Sequence, residues 1–432
     1  MIIGNTAGDI FDSVRHLIQT GGLKPGELLP PVRELALQLN VNRNTVASAY
    51  KRLVTSGLAI SQGRNGTQIK DMHPPVELEG GSPNSPLIDL SSGNPALARL
   101  PEARRYFSQL AGTPRLYGDP AVDAQLEAWA QNWMSNDLPG KGEINITSGA
   151  IDAIERLLQT HLLPGDSVAV EDPCFLSSIN MLRCTGFAPS PVAIDEEGMQ
   201  LEALEQALKS GARALILTPR AHNPTGCSLS QRRAAAIRTL LSRYPQVMII
   251  VDDHFALLSH SPFYPVIPAE TQRWALVRSL SKALGPDLRL ALVACDRNTS
   301  DKLRLRLNSG SQWVSHLLQD LALACVSDPA FQATLEQARL EYQRLRESMV
   351  EAFHEKGIGE VKAGDGLNIW LPTQAPSQAL ALELARAGWL VREGEVFGIT
   401  SPAHGIRITV SELTQTDIEK LAADTRRALD KL

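Results

Sequence analysis

Four short apolar runs alternate with helical stretches along most of this 432-residue chain: SVAVEDP (167 to 173), ALILTP (214 to 219), VMIIVDD (247 to 253) and ALVRSLSK (275 to 282). Buried strands separated by helices predict βαβ units and a largely parallel sheet, an α/β fold. A further strand, Glu143 to Thr147, leads into the helical pattern IDAIERLLQT. Asp252 closes the run VMIIVDD. Its carboxylate is therefore expected at the C-terminal edge of a strand, where open α/β sheets bind ligands.

The segment Asp71 to Pro86, DMHPPVELEGGSPNSP, holds four prolines and two glycines in sixteen residues and carries no period. It reads as a linker and sets a boundary. Ahead of it, Phe11, Val14, Leu17 and Ile18 give one face of a first helix, and Leu23-Lys24-Pro25-Gly26 a turn. Pro31 suits the first turn of a second helix, whose Leu35, Ala36 and Leu39 face inward. Asn42 is a good N-cap for a third helix with a buried stripe of Val46, Ala49, Tyr50 and Leu53. Arg43, Asn44 and Thr45 then fall in its first turn, the end that a helix-turn-helix pushes into the major groove. Two short strands (Leu58 to Ser61, Thr67 to Lys70) flank a tip, Gln62 to Gly66, that carries Arg64. A winged helix results.

Charge divides at the same boundary. Met1 to Lys70 holds eight Lys/Arg against four Asp/Glu, a net +4, so the rest of a chain of net charge -5 carries -9. A basic head on an acidic body suggests a polyanion as partner. With 43% apolar and 21% charged residues, the composition excludes disorder, collagen and a coiled-coil rod. No stretch reaches the roughly 20 apolar residues of a membrane span. Met1 to Asp12 has neither a basic start nor an apolar h-region, so a cytoplasmic protein is expected. Five cysteines without CxxC spacing look like neither a disulfide framework nor a metal site.

In the body, Asn223-Pro224-Thr225-Gly226 follows a strand end, Ser279-Leu280-Ser281-Lys282 ends another run, and Arg289 comes seven residues after the lysine. Each has a plain reading. NPTG is a common turn, a lysine after a strand is usually at the surface, and Asp252 could cap a helix or pair with an arginine. Their order turns separate hints into one pattern.

The head, GGLKPGELLPPVRELALQLNVNRNTVASAYKRLVTSGLAISQGRNGTQI, resembles the GntR-type winged-helix regulators along its whole length. Pro31 and Asn42 stand where that family has serine. The resemblance implies DNA contacts by Arg33, Arg43, Asn44, Thr45 and Arg64 with a double-stranded operator. From about Leu90 onward the chain resembles fold-type I pyridoxal 5'-phosphate (PLP) enzymes, the aspartate aminotransferase family. That implies a mostly parallel sheet of the seven-stranded type and a smaller C-terminal α+β domain. It makes Lys282 the catalytic lysine that holds the aldehyde as a Schiff base, and Asp252 the acid against the pyridine nitrogen. Asn223 bonds the phenolate oxygen and Phe175 stacks on the ring. Ser148, Gly149, Ala150, Ser279 and Arg289 receive the phosphate. Arg407, in HGIRITVS, takes the α-carboxylate of a substrate. Tyr117, in LYGDPAVDAQLEAW, reaches the phosphate of a neighbouring subunit, implying a head-to-tail homodimer. One departure matters. The tyrosine expected two residues after the acid is His254, whose geometry and ionisation near neutral pH differ from a phenol's, so efficient transamination is not expected.

The two halves together resemble the MocR subfamily, whose members control vitamin B6 or amino-compound metabolism. The implied layout is a winged helix at 1–70, a linker at 71–89 and a PLP-binding body at 90–432, with a large domain at about 115–300 and a small one from about 90–114 and 301–432. Three functions stay open at this level. The body senses PLP or its adduct with an amino acid or amine, or it is a working aminotransferase with accessory DNA binding, or the cofactor only stabilises the dimer.

Overall fold

The computed structural model describes residues 1–63, 66–70, 79–80, 85–110, 112–359 and 361–432. The chain divides into two compact units, Met1–Glu77 and Leu78–Leu432.

The first unit holds α1 (Ala7–Gln19), α2 (Val32–Leu39) and α3 (Arg43–Thr55), followed by β1 (Ala59–Ser61) and β2 (Thr67–Ile69). A capping box starts α1, with the Thr6 side chain on the Asp9 amide and the Asp9 carboxylate on the Thr6 amide. Asn42 Oδ1 accepts the Asn44 amide at 2.8 Å, which fixes the start of α3. Val46, Ala49, Tyr50 and Leu53 are buried at helical spacing and close a core with Ile10, Val14, Leu35 and Ala36. The first helix buries Ile10 and Val14 most fully, while Phe11, Leu17 and Ile18 are only partly covered. Pro31 is the N-cap of α2 rather than part of its first turn. The strands pair antiparallel, Ala59 opposite Ile69. Arg64, at the tip between them, lies outside the described residues.

The second unit contains, in chain order, β3 (Ile88–Asp89), β4 (Glu143–Thr147), β5 (Ser167–Asp172), β6 (Ala188–Asp195), β7 (Gly198–Met199), β8 (Ala214–Leu217), β9 (Met248–Asp252), β10 (Trp274–Ser279), β11 (Ala291–Cys295), β12 (Asn368–Pro372), β13 (Trp389–Leu390), β14 (Arg392–Glu393) and β15 (Gly405–Thr409). The large sheet runs β4-β11-β10-β9-β8-β5-β6-β7. Its pairings from β10 to β6 are parallel, and β11 is antiparallel to both neighbours. To the seven expected strands it adds β7, a two-residue return hairpin on β6.

The apolar runs are continuous because both faces of the sheet are covered. On β9, Met248 and Ile250 join one core cluster while Ile249 and Val251 join the other, and β10 divides in the same way. A smaller sheet, β12-β15-β14, forms a third core with Leu345, Met349, Phe353 and the fully buried Trp389.

One expectation needs correcting. The chain from 301 to about 342 packs with the large sheet: Val314, Ala322, Cys325, Phe331, Leu335 and Tyr342 belong to its cluster. The single helix Pro329–Glu355 runs from that core into the small one. A helical period shows that a helix has a buried face, not which sheet the face meets. Among the described residues, no helix is long and apolar enough to cross a membrane, and no His/Cys/Asp/Glu cluster could hold a metal ion.

Candidate functional site

The ends of β5, β9 and β10 converge on a cavity of roughly 210 Å³, lined in part by Phe175, Asn223, Asp252, His254, Ser279, Lys282 and Arg289. These residues stand up to 114 positions apart between Phe175 and Arg289, yet the parallel sheet delivers them to one edge, its strands ending together.

Asp252 is the last residue of β9 and is buried, and its Oδ1 has no hydrogen-bond partner. Burial, then the adjacent Asp253 charge, pushes its carboxyl up to about 7. A buried, unpartnered carboxylate oxygen facing a cavity is poised for a cationic N–H donor. Behind it Glu171 accepts both the amide and the hydroxyl of Thr218, at 2.8 and 2.9 Å, and burial lifts it to about 8. His222, held down at about 3 by burial, is neutral. Glu171 and His222 thus stay uncharged near neutral pH, and the charge next to Asp252 is that of Asp253.

Lys282 sits in the short helix that follows β10, and its amine donates to the Gly93 carbonyl at 2.6 Å. Burial lowers it to about 8, against the pull of the Glu79 charge and with a push from Arg407. His254 is lowered to about 4 by burial and then by Lys282. This corrects the expectation of ionisation near neutral pH: the ring is neutral there and still offers an N–H.

At the other end of the cavity β4 passes through Ser148 into the helix Ala150–His161, with Gly149 as its N-cap at φ +99°. A Cβ on Gly149 would stand 2.8 Å from the Arg289 guanidinium, which itself donates to the Ser148 carbonyl at 3.0 Å. An L side chain would be strained at this φ, which favours glycine here. The Ser148 amide already donates to Asp152, so the amides left to an anion at this helix start are those of Gly149, Ala150 and the rest of the first turn. Arg289 holds a left-handed backbone, φ 49°, and is exposed. The Ser279 hydroxyl accepts the Ser281 amide, and Ser281 also lines the cavity.

Arg407 is fully buried in β15, its guanidinium over the Phe397 ring. It donates to Asn223 Oδ1 at 2.9 Å and to the Ser91 carbonyl. Its two terminal nitrogens also grip both oxygens of Glu79, at 2.8 and 2.9 Å. Glu79 lies in the stretch read as a linker and carried no signal there. Ser281 was hidden inside its own motif, and Thr218 had none. Tyr117 is 85% exposed, stacks edge-on against Trp313, and is not part of the cavity wall. In the head, Arg33, Arg43 and Asn44 are exposed and Thr45 is half-buried. Neither Arg33 nor Arg43 meets a carboxylate among the described residues.

The orphan oxygen of Asp252, the helix start at Gly149 beside Arg289, and a lysine amine lining the same cavity fit a phosphorylated pyridine aldehyde. Replacing Asp252 tests that fit, because stability and binding should move in opposite directions. The unfolded chain has this carboxyl at its ordinary 3.8, so between that value and about 7 folding takes up a proton, and stability falls as pH rises through the window. Asp252→Asn should therefore stabilise the cofactor-free protein at pH 8, by about 1–2 kcal/mol, with the gain disappearing toward pH 4. The same variant should bind PLP at least about tenfold more weakly, through loss of a charge-assisted hydrogen bond. Denaturant titrations at the two pH values and a PLP titration check both signs. A destabilised variant at pH 8 would contradict this account of Asp252.

Comparison with known proteins agrees with this geometry. The family described as "Aminotransferase class I and II" matches residues 85–424, and "Bacterial regulatory proteins, gntR family" matches residues 6–69. The chain belongs to the aminotransferase class I and II family and carries a GntR-type head. It is 63% identical over the full length of both chains to the vitamin B6 salvage pathway transcriptional repressor PtsJ of Salmonella typhimurium. It is 24% identical, over 88% of this chain and 86% of the other, to the pyridoxine biosynthesis regulator PdxR of Corynebacterium glutamicum. Among solved structures, a multiple substrate aminotransferase from Thermococcus profundus superposes with a TM-score of 0.71 at 21% identity, over 81% of this chain and 94% of that one. This last likeness shows the fold of the body. The two-part resemblance read from the sequence is borne out.

Proposed function

We propose that this protein is a cytoplasmic, homodimeric transcriptional regulator that binds operator DNA through its GntR-type head and senses PLP, or an adduct of it, in the body, in the control of vitamin B6 salvage. The observation that carries the reading is a cleft whose lining suits that cofactor in a chain that also presents, at the start of a capped helix, an exposed arginine with no carboxylate partner among the described residues. PtsJ, similar over its whole length, is a vitamin B6 salvage pathway transcriptional repressor.

Bound PLP would supply an aldehyde that condenses with amines and a ring that withdraws electrons once its nitrogen is protonated. The chain's own residues divide the remaining work. Asp252 holds a proton on the ring nitrogen. Lys282, with its amine lowered to about 8, keeps an unprotonated fraction near neutrality and anchors the aldehyde. Asn223 and His254 donate toward the ring oxygen, and Phe175 covers one face. Arg289, Ser279 and the Gly149 and Ala150 amides bind the phosphate. A ligand held this way alters transcription only by binding the DNA-competent arrangement with different affinity.

The alternative of an active aminotransferase draws on the same Lys282, Asp252 and Arg407. Against it stand His254 in place of a tyrosine, and Glu79 on the arginine that a substrate would need. Steady turnover of an amino donor with a keto acid would reverse this ranking.

Arg43→Ala tests the other half. Loss of one arginine contact at a groove should weaken operator binding roughly tenfold or more and leave PLP binding unchanged. Fluorescence anisotropy on operator DNA and PLP absorbance together check it, and an unchanged operator affinity would dismiss α3 as the reading helix.

A further inference from the structure

The carboxylate grip of Arg407 is already filled, by the chain itself. A guanidinium with no exposed surface needs a counter-charge, because an unpaired buried cation is strongly unfavourable. Glu79 provides it with both oxygens in the two-pronged geometry by which arginine recognises any carboxylate. The segment is held at a second point: the neighbouring Gly80 carbonyl accepts from Arg392 at 2.9 Å. Arg392 and Arg407 face each other across the β14 and β15 pairing, so one small sheet fixes both ends of this short stretch. Glu79 also lines the cavity beside Lys282 and Asp252, and packs against Gly93, whose carbonyl receives the Lys282 amine.

We propose that Glu79 is a built-in carboxylate ligand that sets the effector class of the cleft: it admits cofactor forms that carry ring, phosphate and aldehyde or amine but no carboxylate, and disfavours amino acids and their cofactor adducts. An amino-acid carboxylate would have to displace a tethered competitor whose effective concentration is on the order of millimolar. A ligand that did displace it would release Glu79 from Arg407, so carboxylate binding and the placement of Glu79 are reciprocally linked. The proposal rests on the reading of the cleft as a cofactor site, and it narrows that reading from "PLP or an amino adduct" to the carboxylate-free forms.

Two probes, one without a carboxylate and one with it, separate the two claims: pyridoxamine 5'-phosphate, and N-(5'-phosphopyridoxyl)-L-alanine. Each is titrated calorimetrically into the full-length wild-type protein, Glu79→Gln and Glu79→Ala. Thermal unfolding of the unliganded proteins shows that the variants fold. Both variants leave Arg407 without its counter-charge and should be less stable than wild type, while Glu79→Gln keeps a hydrogen-bond acceptor for the guanidinium. The expected result is that the alanine adduct binds the variants about tenfold or more tightly than it binds wild type, while pyridoxamine 5'-phosphate binds all three alike. If pyridoxamine 5'-phosphate binds and the adduct shows no gain in either variant, the role of Glu79 is overturned and the cofactor reading stands. If neither probe binds any of the proteins, the cofactor reading falls and takes this inference with it.

Discussion

Asp253→Ala should lower the stability of the body by about 3–5 kcal/mol, because it leaves two buried arginines facing an empty space. Asp253 has no exposed surface. One oxygen accepts from Arg220 Nε at 2.8 Å, and the other accepts from Arg220 Nη2 and Arg278 Nε, each at 2.9 Å. Arg278 keeps a second partner in Asp137, and both guanidiniums lie over the Phe263 ring. Nothing else charged reaches Arg220 among the described residues; its remaining bond is to the Ser261 carbonyl. The network lies directly behind the site, since Asp253 follows Asp252 and its amide bonds the Val277 carbonyl of β10. The same substitution should therefore also loosen the position of Asp252. Asp253→Asn retains the hydrogen-bonding shape and loses the charge, so it should cost less than the alanine variant. Denaturant midpoints of the three proteins order the effects. Equal midpoints for wild type and Asp253→Ala would remove the network from the account of stability.

Lys282→Ala should abolish the visible absorbance band of lysine-bound PLP and lower PLP affinity by orders of magnitude. The residues that would meet the ring and phosphate are untouched by the change, but the aldehyde would lose the lysine amine that lines the cavity. Alanine also removes an amine that donates to the Gly93 carbonyl, and it relieves the His254 ring of a nearby positive charge. Folding should survive, since burial works against the charged amine in the unliganded protein. The head should keep its affinity for DNA in the absence of cofactor and lose any response to PLP. A spectrum identical to wild type would take the lysine out of this role.

The constellation from Phe175 to Arg289 was legible in the sequence because a parallel sheet ends its strands at one edge. A polar residue that closes an apolar run must lie there, as Asp252 and Ser279 do. The recognition helix was legible from local rules alone: Asn42 caps it and its buried stripe keeps helical spacing. What stayed hidden is whatever depends on pairing across the chain. Glu79 meets Arg407 across 328 positions, and no property of a proline- and glycine-rich stretch singles out one glutamate within it. Arg220 and Arg278 look like ordinary surface charges until β9 brings Asp253 between them. The ionisation of His254 was misjudged for a related reason, since its neutrality comes from enclosure beside Lys282 rather than from its own chemistry. The placement of residues 301 to 342 in the small domain came with the implied family layout, and nothing local in that stretch says which sheet its buried residues meet.

The central claim is that occupancy of the body controls the head. Its most direct test is a titration of the purified protein onto the DNA upstream of its own and neighbouring genes, with and without PLP, at two salt concentrations so that the sequence-independent electrostatic part of binding is separated from the specific part. The account predicts that affinity for one fragment changes with PLP while affinity for random DNA does not. Tight operator binding that is indifferent to PLP at both salt concentrations would contradict it, leaving the body as a scaffold or as an enzyme.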